Sequence, residues 1–496
     1  MVSHLHLPIS YGTDMIKRIR KKKNIVFLLL DSVRAGDVYG NMSLPNIQKL
    51  IKTSAIYTNT ISPGTWTATS HASLFTGRNV TNISEVSRDF FSPSSVSIDP
   101  WMVKTRFLPE NADTIASKLS RKGYYSILFS NNPFLTSFTN LGSGFDRIYD
   151  MWMHSNVKYD KKIVKRVSAI INGGHSARRK MFRISNALTM PLPRPIFDKM
   201  YLHLRKRLDR KVADTDGTYR LDRGASDTNV EMKNYFQTEY NGLPHFIFVN
   251  LIEAHENYPL LGKDKGIIQD KWLYMSGIEE LDGTVAGKLH KAYLRRIKYL
   301  DRMVGKTLDT LKEGGMLENA SVIITSDHGQ FFGEHGLLYH SLFPYDEGVK
   351  VPLVAINYEN GKPTGPNEHI DSPVSLTSLH DAVYDLASGR CDYLDGNLRS
   401  GRYVLSEHTG ISEGWDEEFL RMIRQRSKYA GLIYAAKSKY NSRATAVYKG
   451  DMKLIHYFGK MKDELYNIST DPHETDNILG GHRHVANGML RGANLA

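Results

Sequence analysis

Cysteine is all but absent: the 496-residue chain has one, Cys391. A single thiol rules out an intrachain disulfide framework and a cysteine-based zinc cage, and a cytoplasmic protein is expected. Long apolar runs are also missing. The first of note, IVFLLL at residues 25–30, is far shorter than the roughly 20 residues of a membrane-spanning helix. Asp31 follows it directly, without the small-residue cleavage site of a secretory signal, so a buried strand is the expectation. Glutamate is missing from one whole region. Residues 151–223 hold 18 Lys or Arg, 6 Asp and no Glu, and so carry nearly all of the formal net charge of +13. There is no P-loop, dinucleotide fingerprint, zinc-finger spacing or internal repeat, and no specific nucleic-acid motif.

What is present alternates. NIVFLLLDS reads as a strand covered on both faces, LPNIQKLIKTS as an amphipathic helix and AIYTNTIS as a second strand. ADTIASKLSRKGY has a helical period that stops at Gly123, and YSILFSN is again a strand. The pattern breaks at the basic insertion, residues 151–226, where IFDKMYLHLRKRLDRKV fits an amphipathic helix with a cationic face. That segment is either a solvated helical insertion or a patch for an anionic polymer or membrane surface, which would add a peripheral membrane location. HFIFVNLIEAH, a long helix ending in Gly-Gly, and SVIITSDHGQ resume the alternation. After about Gly389 short strands and turns follow. The expected organisation is an α/β domain over residues 20–388, with a large mostly parallel sheet flanked by helices, and a small C-terminal α+β subdomain over residues 389–496.

Ligands of open α/β sheets sit beyond the carboxyl ends of the strands. After IVFLLL comes Asp31; after SVIITS come Asp327 and His328; after FIFVNLIEA comes His255; after AIYTNTIS comes the hydroxyl-rich SPGTWTATSHASLFTG. Two carboxylates and imidazoles on one rim, with a hydroxyl, form a divalent-cation site. Such a cation would lower the pKa of a Thr or Ser hydroxyl and make it a nucleophile. The hydroxyls are also good helix caps, the role expected of Thr69 and Ser70, which stand as fallback candidates for the nucleophile.

Taken together, NIVFLLLDSVRAGDVYGN, TWTATSHASLFTGR, LIEAHENYP, SVIITSDHGQFFGEHGLLYH, YDEGVKVPLVA and ELYNISTDPHETDNI resemble, in order, the motifs of the sulfatase family of the alkaline phosphatase superfamily. The resemblance implies an alkaline-phosphatase-like fold and one divalent cation held by Asp31, Asp327, His328 and Thr67. It makes Thr67 the nucleophile and places His255 and His340 on the substrate or leaving group, with Arg34 and His71 as supporting, substrate-binding residues.

The departures bear on chemistry. Sulfatases proper carry Cys or Ser, converted to formylglycine, where this chain has Thr67, and the modification context is missing. The paired Asp after the first strand is Asp31-Ser32, and SNNPF at residues 130–134 replaces a Gly-Lys-Trp-His element. A threonine sulfate lacks the hemiacetal exit of formylglycine, whereas in-line phosphoryl transfer through a phospho-Thr suits a hydroxyl. The expected activity is therefore ester hydrolysis, on phosphate mono- or diesters more than on sulfate esters, with the anionic ester carried on a glycan or lipid. A sulfatase working without formylglycine and a non-catalytic binder of anionic glycan or lipid are the alternatives. An all-oxygen site favours calcium, and His328 shifts the choice towards manganese or zinc. The region of a second metal offers only Glu253 and Asn257 around His255, so one ion is expected.

Overall fold

The computed structural model describes residues 22–83, 107–109, 111–136, 139–152, 221–256, 258, 271–365, 367–394, 398, 403–410 and 414–495. Nearly all of the basic insertion, including its cationic helix, and Asn257 lie outside the described residues.

The strands of the large sheet are β1 (Asn24–Leu30), β2 (Ala55–Ile61), β3 (Tyr125–Ser130), β4 (Arg147–Asp150), β5 (His245–Leu251) and β6 (Asn319–Thr325). After a small ribbon of β7 (Phe331–Phe332) and β8 (Leu338–Tyr339), β9 (Lys350–Glu359), β10 (Lys362–Thr364), β11 (Glu368–Ile370) and β12 (Val374–Ser375) complete it. Its order is β11-β2-β9-β6-β1-β5-β3-β4, with β10 beside β9 and β12 beside β2. The β6-β1-β5-β3-β4 pairings are parallel, and β9 runs antiparallel to both β6 and β2. Two reversals restore β2 to the direction of β1, so the carboxyl ends of β1, β2, β3, β5 and β6 reach one rim.

The unbroken apolar run of β1 follows from cover on both faces. Val26, Leu28 and Leu30 pack with Tyr293, Ile297, Leu300 and Val304 of the long helix Gly283–Glu313. Ile25, Phe27 and Leu29 pack on the other face with Ala68, Ala72 and Phe75 of helix Thr67–Thr76. The long helix begins where the Asp282 carboxylate accepts the Thr284 N–H (2.8 Å) as an N-cap. Helix Thr67–Thr76 ends at Gly77, whose φ of 69° suits glycine and whose N–H bonds the Ser73 carbonyl.

The C-terminal sheet pairs β13 (Val404–His408), β14 (Arg443–Lys449), β15 (Met452–Phe458) and β16 (Glu464–Asn467) antiparallel in that order. Helices Gly414–Gln425 and Ala430–Tyr440 lie between β13 and β14. The sheet touches the rim at the carboxyl ends of the parallel strands. The Glu407 N–H bonds the Pro63 carbonyl (2.9 Å), and Thr65 Oγ1 lies 3.4 Å from His408 Nδ1. Among the described residues, no helix is long and apolar enough to cross a membrane.

Candidate active site

Each strand end delivers one part of the site. β1 is followed by Asp31 and Ser32; Ser32, at φ 65°, donates its hydroxyl to Asp31 Oδ1 (2.8 Å) and its N–H to Asp327 Oδ1 (3.2 Å). β6 ends before Asp327 and His328, and the glycine after them is required by close approach: a Cβ on Gly329 would lie 2.1 Å from the Glu347 carbonyl oxygen. β2 leads through Pro63 and Gly64 to Thr67, the first residue of its helix. β3 delivers Asn132, a residue the strand-end reasoning passed over. Its side-chain amide donates to Asp31 Oδ2 (2.7 Å) and lies 3.4 Å from Thr67 Oγ1. The same rule that marked Asp31 would have found it.

Asp31, Asp327 and His328 are fully buried and offer ligand atoms within 4.8 Å of one another. His328 Nε2 lies 3.4 Å from Thr67 Oγ1, 3.5 Å from Asp327 Oδ2 and 4.0 Å from Asp31 Oδ1. Its Nδ1–H donates to the Gly329 carbonyl (2.9 Å), which leaves Nε2 a lone pair towards this group. Asp327 Oδ2 is buried without a hydrogen-bond partner. Two carboxylates in so dry a place require a cation or protons. The residues therefore fit a divalent ion with mixed oxygen and nitrogen donors. Burial alone would raise the Asp31 carboxyl, but the charges of His255 and His328 and the bonds from Ser32 and Asn132 hold it below its ordinary value. Burial alone would lower His328, and Asp327 and Asp31 together raise it.

The other candidates separate into three groups. His71 is fully buried behind Asp327: its Nδ1–H donates to the Thr67 carbonyl (2.8 Å), and its ring packs edge-on to Phe75 and Phe248. Arg34 turns away from Thr67. Both its terminal nitrogens meet Glu334 Oε1 (2.9 Å), its Nε meets the Gln330 carbonyl, and it stacks on Phe332. This arrangement braces the β7–β8 ribbon. His255 and His340 lie together at the rim with ring centroids 4.8 Å apart, joined by Glu256, which sequence reasoning did not single out. His340 stacks on His328 at 4.4 Å, linking the rim to the buried group. Burial pushes His340 down to about 3 against the pull of Glu256. Burial would raise Glu256, but the two histidines hold its carboxyl well below the usual range.

Thr69 and Ser70 do not cap the helix. The N-cap position is Trp66, which has no capping side chain; Thr69 donates to the Trp66 carbonyl (3.0 Å), and Ser70 Oγ lies 3.0 Å from the Gly64 carbonyl and 2.6 Å from Ser62 Oγ. Both hydroxyls fold the loop back on itself, because the loop's carbonyls, not the helix N–H groups, lie within their reach.

A large mixed sheet with flanking helices, a small antiparallel sheet beside it, and carboxylate, imidazole and hydroxyl groups at the parallel strands' carboxyl rim define an alkaline-phosphatase-like protein. The Sulfatase family model matches residues 23–389, and the chain belongs to that family. An N-acetylglucosamine-6-O-sulfatase of Bacteroides thetaiotaomicron is 27% identical over 43% of this chain and 38% of its own length. A choline-sulfatase of Rhizobium meliloti is 27% identical over 39% of this chain. The chain thus matches well under half the length of these curated relatives. Among solved structures, the phosphonate monoester hydrolase of Agrobacterium radiobacter is similar with a TM-score of 0.59 at 15% identity, covering 96% of this chain and 95% of that one.

Proposed function

We propose that the chain is a metal-dependent ester hydrolase in which Thr67 is the nucleophile, with phosphate mono- or diesters preferred over sulfate esters. One observation carries this reading: Thr67 Oγ1 stands at the first turn of a helix within 3.4 Å of both His328 Nε2 and the Asn132 amide, beside the buried Asp31 and Asp327. Asp31, Asp327, His328 and the Thr67 hydroxyl would hold the ion. A divalent cation bound there lowers the pKa of the hydroxyl and offsets the charge of an anionic ester.

The chain's own groups supply the rest. Asn132 ties Asp31 to Thr67 and so sets the direction of the hydroxyl. The helix that Thr67 opens aims its unpaired first-turn N–H groups at an incoming anion. Thr67 Oγ bonds to phosphorus as the bond to the ester oxygen breaks, and the departing alcohol takes a proton. Water then attacks the phospho-Thr, releasing phosphate from a monoester substrate or a phosphate monoester from a diester, and restoring the hydroxyl. His255 and His340, at the more open edge, are assigned to the substrate. The family's similarity to both sulfatases and phosphonate monoester hydrolases leaves this preference to the chemistry of threonine, which has no formylglycine exit for sulfate.

The test is a panel of aryl phosphate, bis-aryl phosphate, aryl phosphonate and aryl sulfate with the Mn²⁺-, Zn²⁺- or Ca²⁺-loaded chain. Turnover of a phosphorus ester above the sulfate is expected, falling at least about 10³-fold in Thr67→Ala, on the scale of losing a nucleophile. Sulfate turnover above phosphate overturns the preference. Absence of turnover on all four, with no bound metal, overturns the hydrolase and favours a non-catalytic binder.

A further inference from the structure

The groups around Thr67 are of two kinds. His255, Glu256 and His340 are polar and chargeable, whereas the exits of β2 and β3 bring Trp66 and Phe134 together against Phe107. Trp66, the residue before Thr67, meets Phe107 and Phe134 edge to face, with ring centroids 5.7 Å from each. Phe107 and Phe134 lie 6.2 Å apart. Phe107 is buried, while Trp66 and Phe134 are half-buried. Residues 62–66 and 130–136 contain no Lys, Arg, His, Asp or Glu, so these two exits offer no charged side chain to an ester's anionic oxygens. Both half-buried rings are fixed relative to the nucleophile. The Trp66 carbonyl accepts the Ser70 N–H (3.1 Å) and the Thr69 hydroxyl (3.0 Å) of the nucleophile helix. The Phe134 N–H donates to Asn132 Oδ1 (2.9 Å), and the Phe134 carbonyl accepts the Thr139 hydroxyl (2.6 Å). Asn132 thus holds Phe134 with its amide oxygen and faces Asp31 and Thr67 with its amide nitrogen.

We propose that Trp66 and Phe134 form an apolar subsite for the organic part of the ester, and that this part is a ring with an apolar face, as in an aryl group or a sugar. The proposal rests on the hydrolase reading and deepens it by naming the alcohol. Large aromatic side chains left half in water beside a nucleophile gain by covering their exposed surface. A rigid ring does so at a lower cost in ordering than a flexible chain. Aromatic residues also recognise quaternary ammonium groups, but by surrounding the cation within about 6 Å of each ring centroid. Here the three rings touch one another, which leaves no room for a cage among them. The two kinds of group then divide the substrate: the ring lies against Trp66 and Phe134, and the anionic centre meets Thr67 and the groups around it.

Steady-state kinetics of the Mn²⁺-loaded full chain on phenyl phosphate, glucose 6-phosphate, phosphocholine and methyl phosphate test this, each kcat/KM being divided by that for methyl phosphate. Trp66→Ala is expected to lower the ratio for phenyl phosphate or glucose 6-phosphate about 10-fold, chiefly through KM. Trp66→Phe should restore most of it, and Trp66→Leu, apolar but without a ring, should not. A loss with phenyl phosphate alone assigns an aryl group, and a loss with glucose 6-phosphate alone a sugar. Unchanged ratios, including an equal fall on all four esters from a misplaced Thr67, overturn the subsite and leave the hydrolase standing. So does a loss confined to phosphocholine. Calorimetry on Thr67→Ala reads the subsite without turnover and without altering Trp66. Phenyl phosphate or glucose 6-phosphate binding about 10-fold tighter than methyl phosphate supports the subsite, even where the wild type hydrolyses nothing and the hydrolase reading fails. Equal affinity for the three overturns it.

Discussion

Asn132 shows how much one polar side chain can do at a strand end. Its amide bridges Asp31 and Thr67, so it restrains a carboxylate and a hydroxyl at once. Asn132→Ala is expected to lower kcat about 10- to 100-fold, the range for losing a hydrogen-bonded partner of a metal ligand. The bound metal content, measured by elemental analysis, should stay unchanged because none of the expected ligand atoms is removed. Thr67→Ser is expected to retain turnover where Thr67→Ala does not, since serine keeps the oxygen that attacks. A steady-state comparison of the two variants reads this directly.

At the level of elements, the edge strand β13 matters more than its length suggests. Its Glu407 accepts the Thr81 N–H (3.0 Å) and hydroxyl (2.7 Å), and its backbone bonds Pro63 ahead of the nucleophile helix. His408, next along, donates Nε2–H to the Tyr440 carbonyl (2.9 Å) and faces Thr65 with Nδ1. Burial pushes its pKa down to about 4 from the ordinary 6.5. Between these values the unfolded chain binds a proton that the folded chain refuses. The contribution is therefore fully present above about pH 6.5 and lost as pH falls towards 4, on the order of 3 kcal/mol at most. Thermal unfolding from pH 7 to pH 4 should show a steeper loss of stability for the wild type than for His408→Gln, which keeps a donor but does not titrate.

For the whole molecule, two charge distributions set the response to solution conditions. The buried carboxylates at the sheet rim mean that chelation should abolish turnover and lower the melting temperature. Restored metal at 100 times its Kd should recover about 2.7 kcal/mol of stability, followed by calorimetry. The basic residues 151–223 set the second response. Retention on heparin and on anionic vesicles should fall steeply as salt rises through the range where screening shortens to about 10 Å. Retention independent of salt would count against a docking role for that segment.

The strands, the long helix and the family were legible in sequence because local pattern decides them: a run buried on both faces must be apolar throughout, and a helix shows its period. Asp31, Asp327 and Thr67 were legible for a related reason, as each directly follows or soon succeeds such a run. Glu256 and Gln330 were not, because nothing local distinguishes them from ordinary loop residues; only the convergence of the β5 and β6 exits gives them His340 as a shared partner. Nor could the sequence show that the guanidinium of Arg34, read as a supporting residue, pairs with Glu334, 300 residues away. Sequence by itself determined the fold and the chemical types gathered at the rim, since burial and periodicity are local properties. Which of those groups face Thr67, which brace it and which form a cluster of their own was decided by tertiary structure alone, because direction and distance arise only when strands far apart in the chain lie side by side.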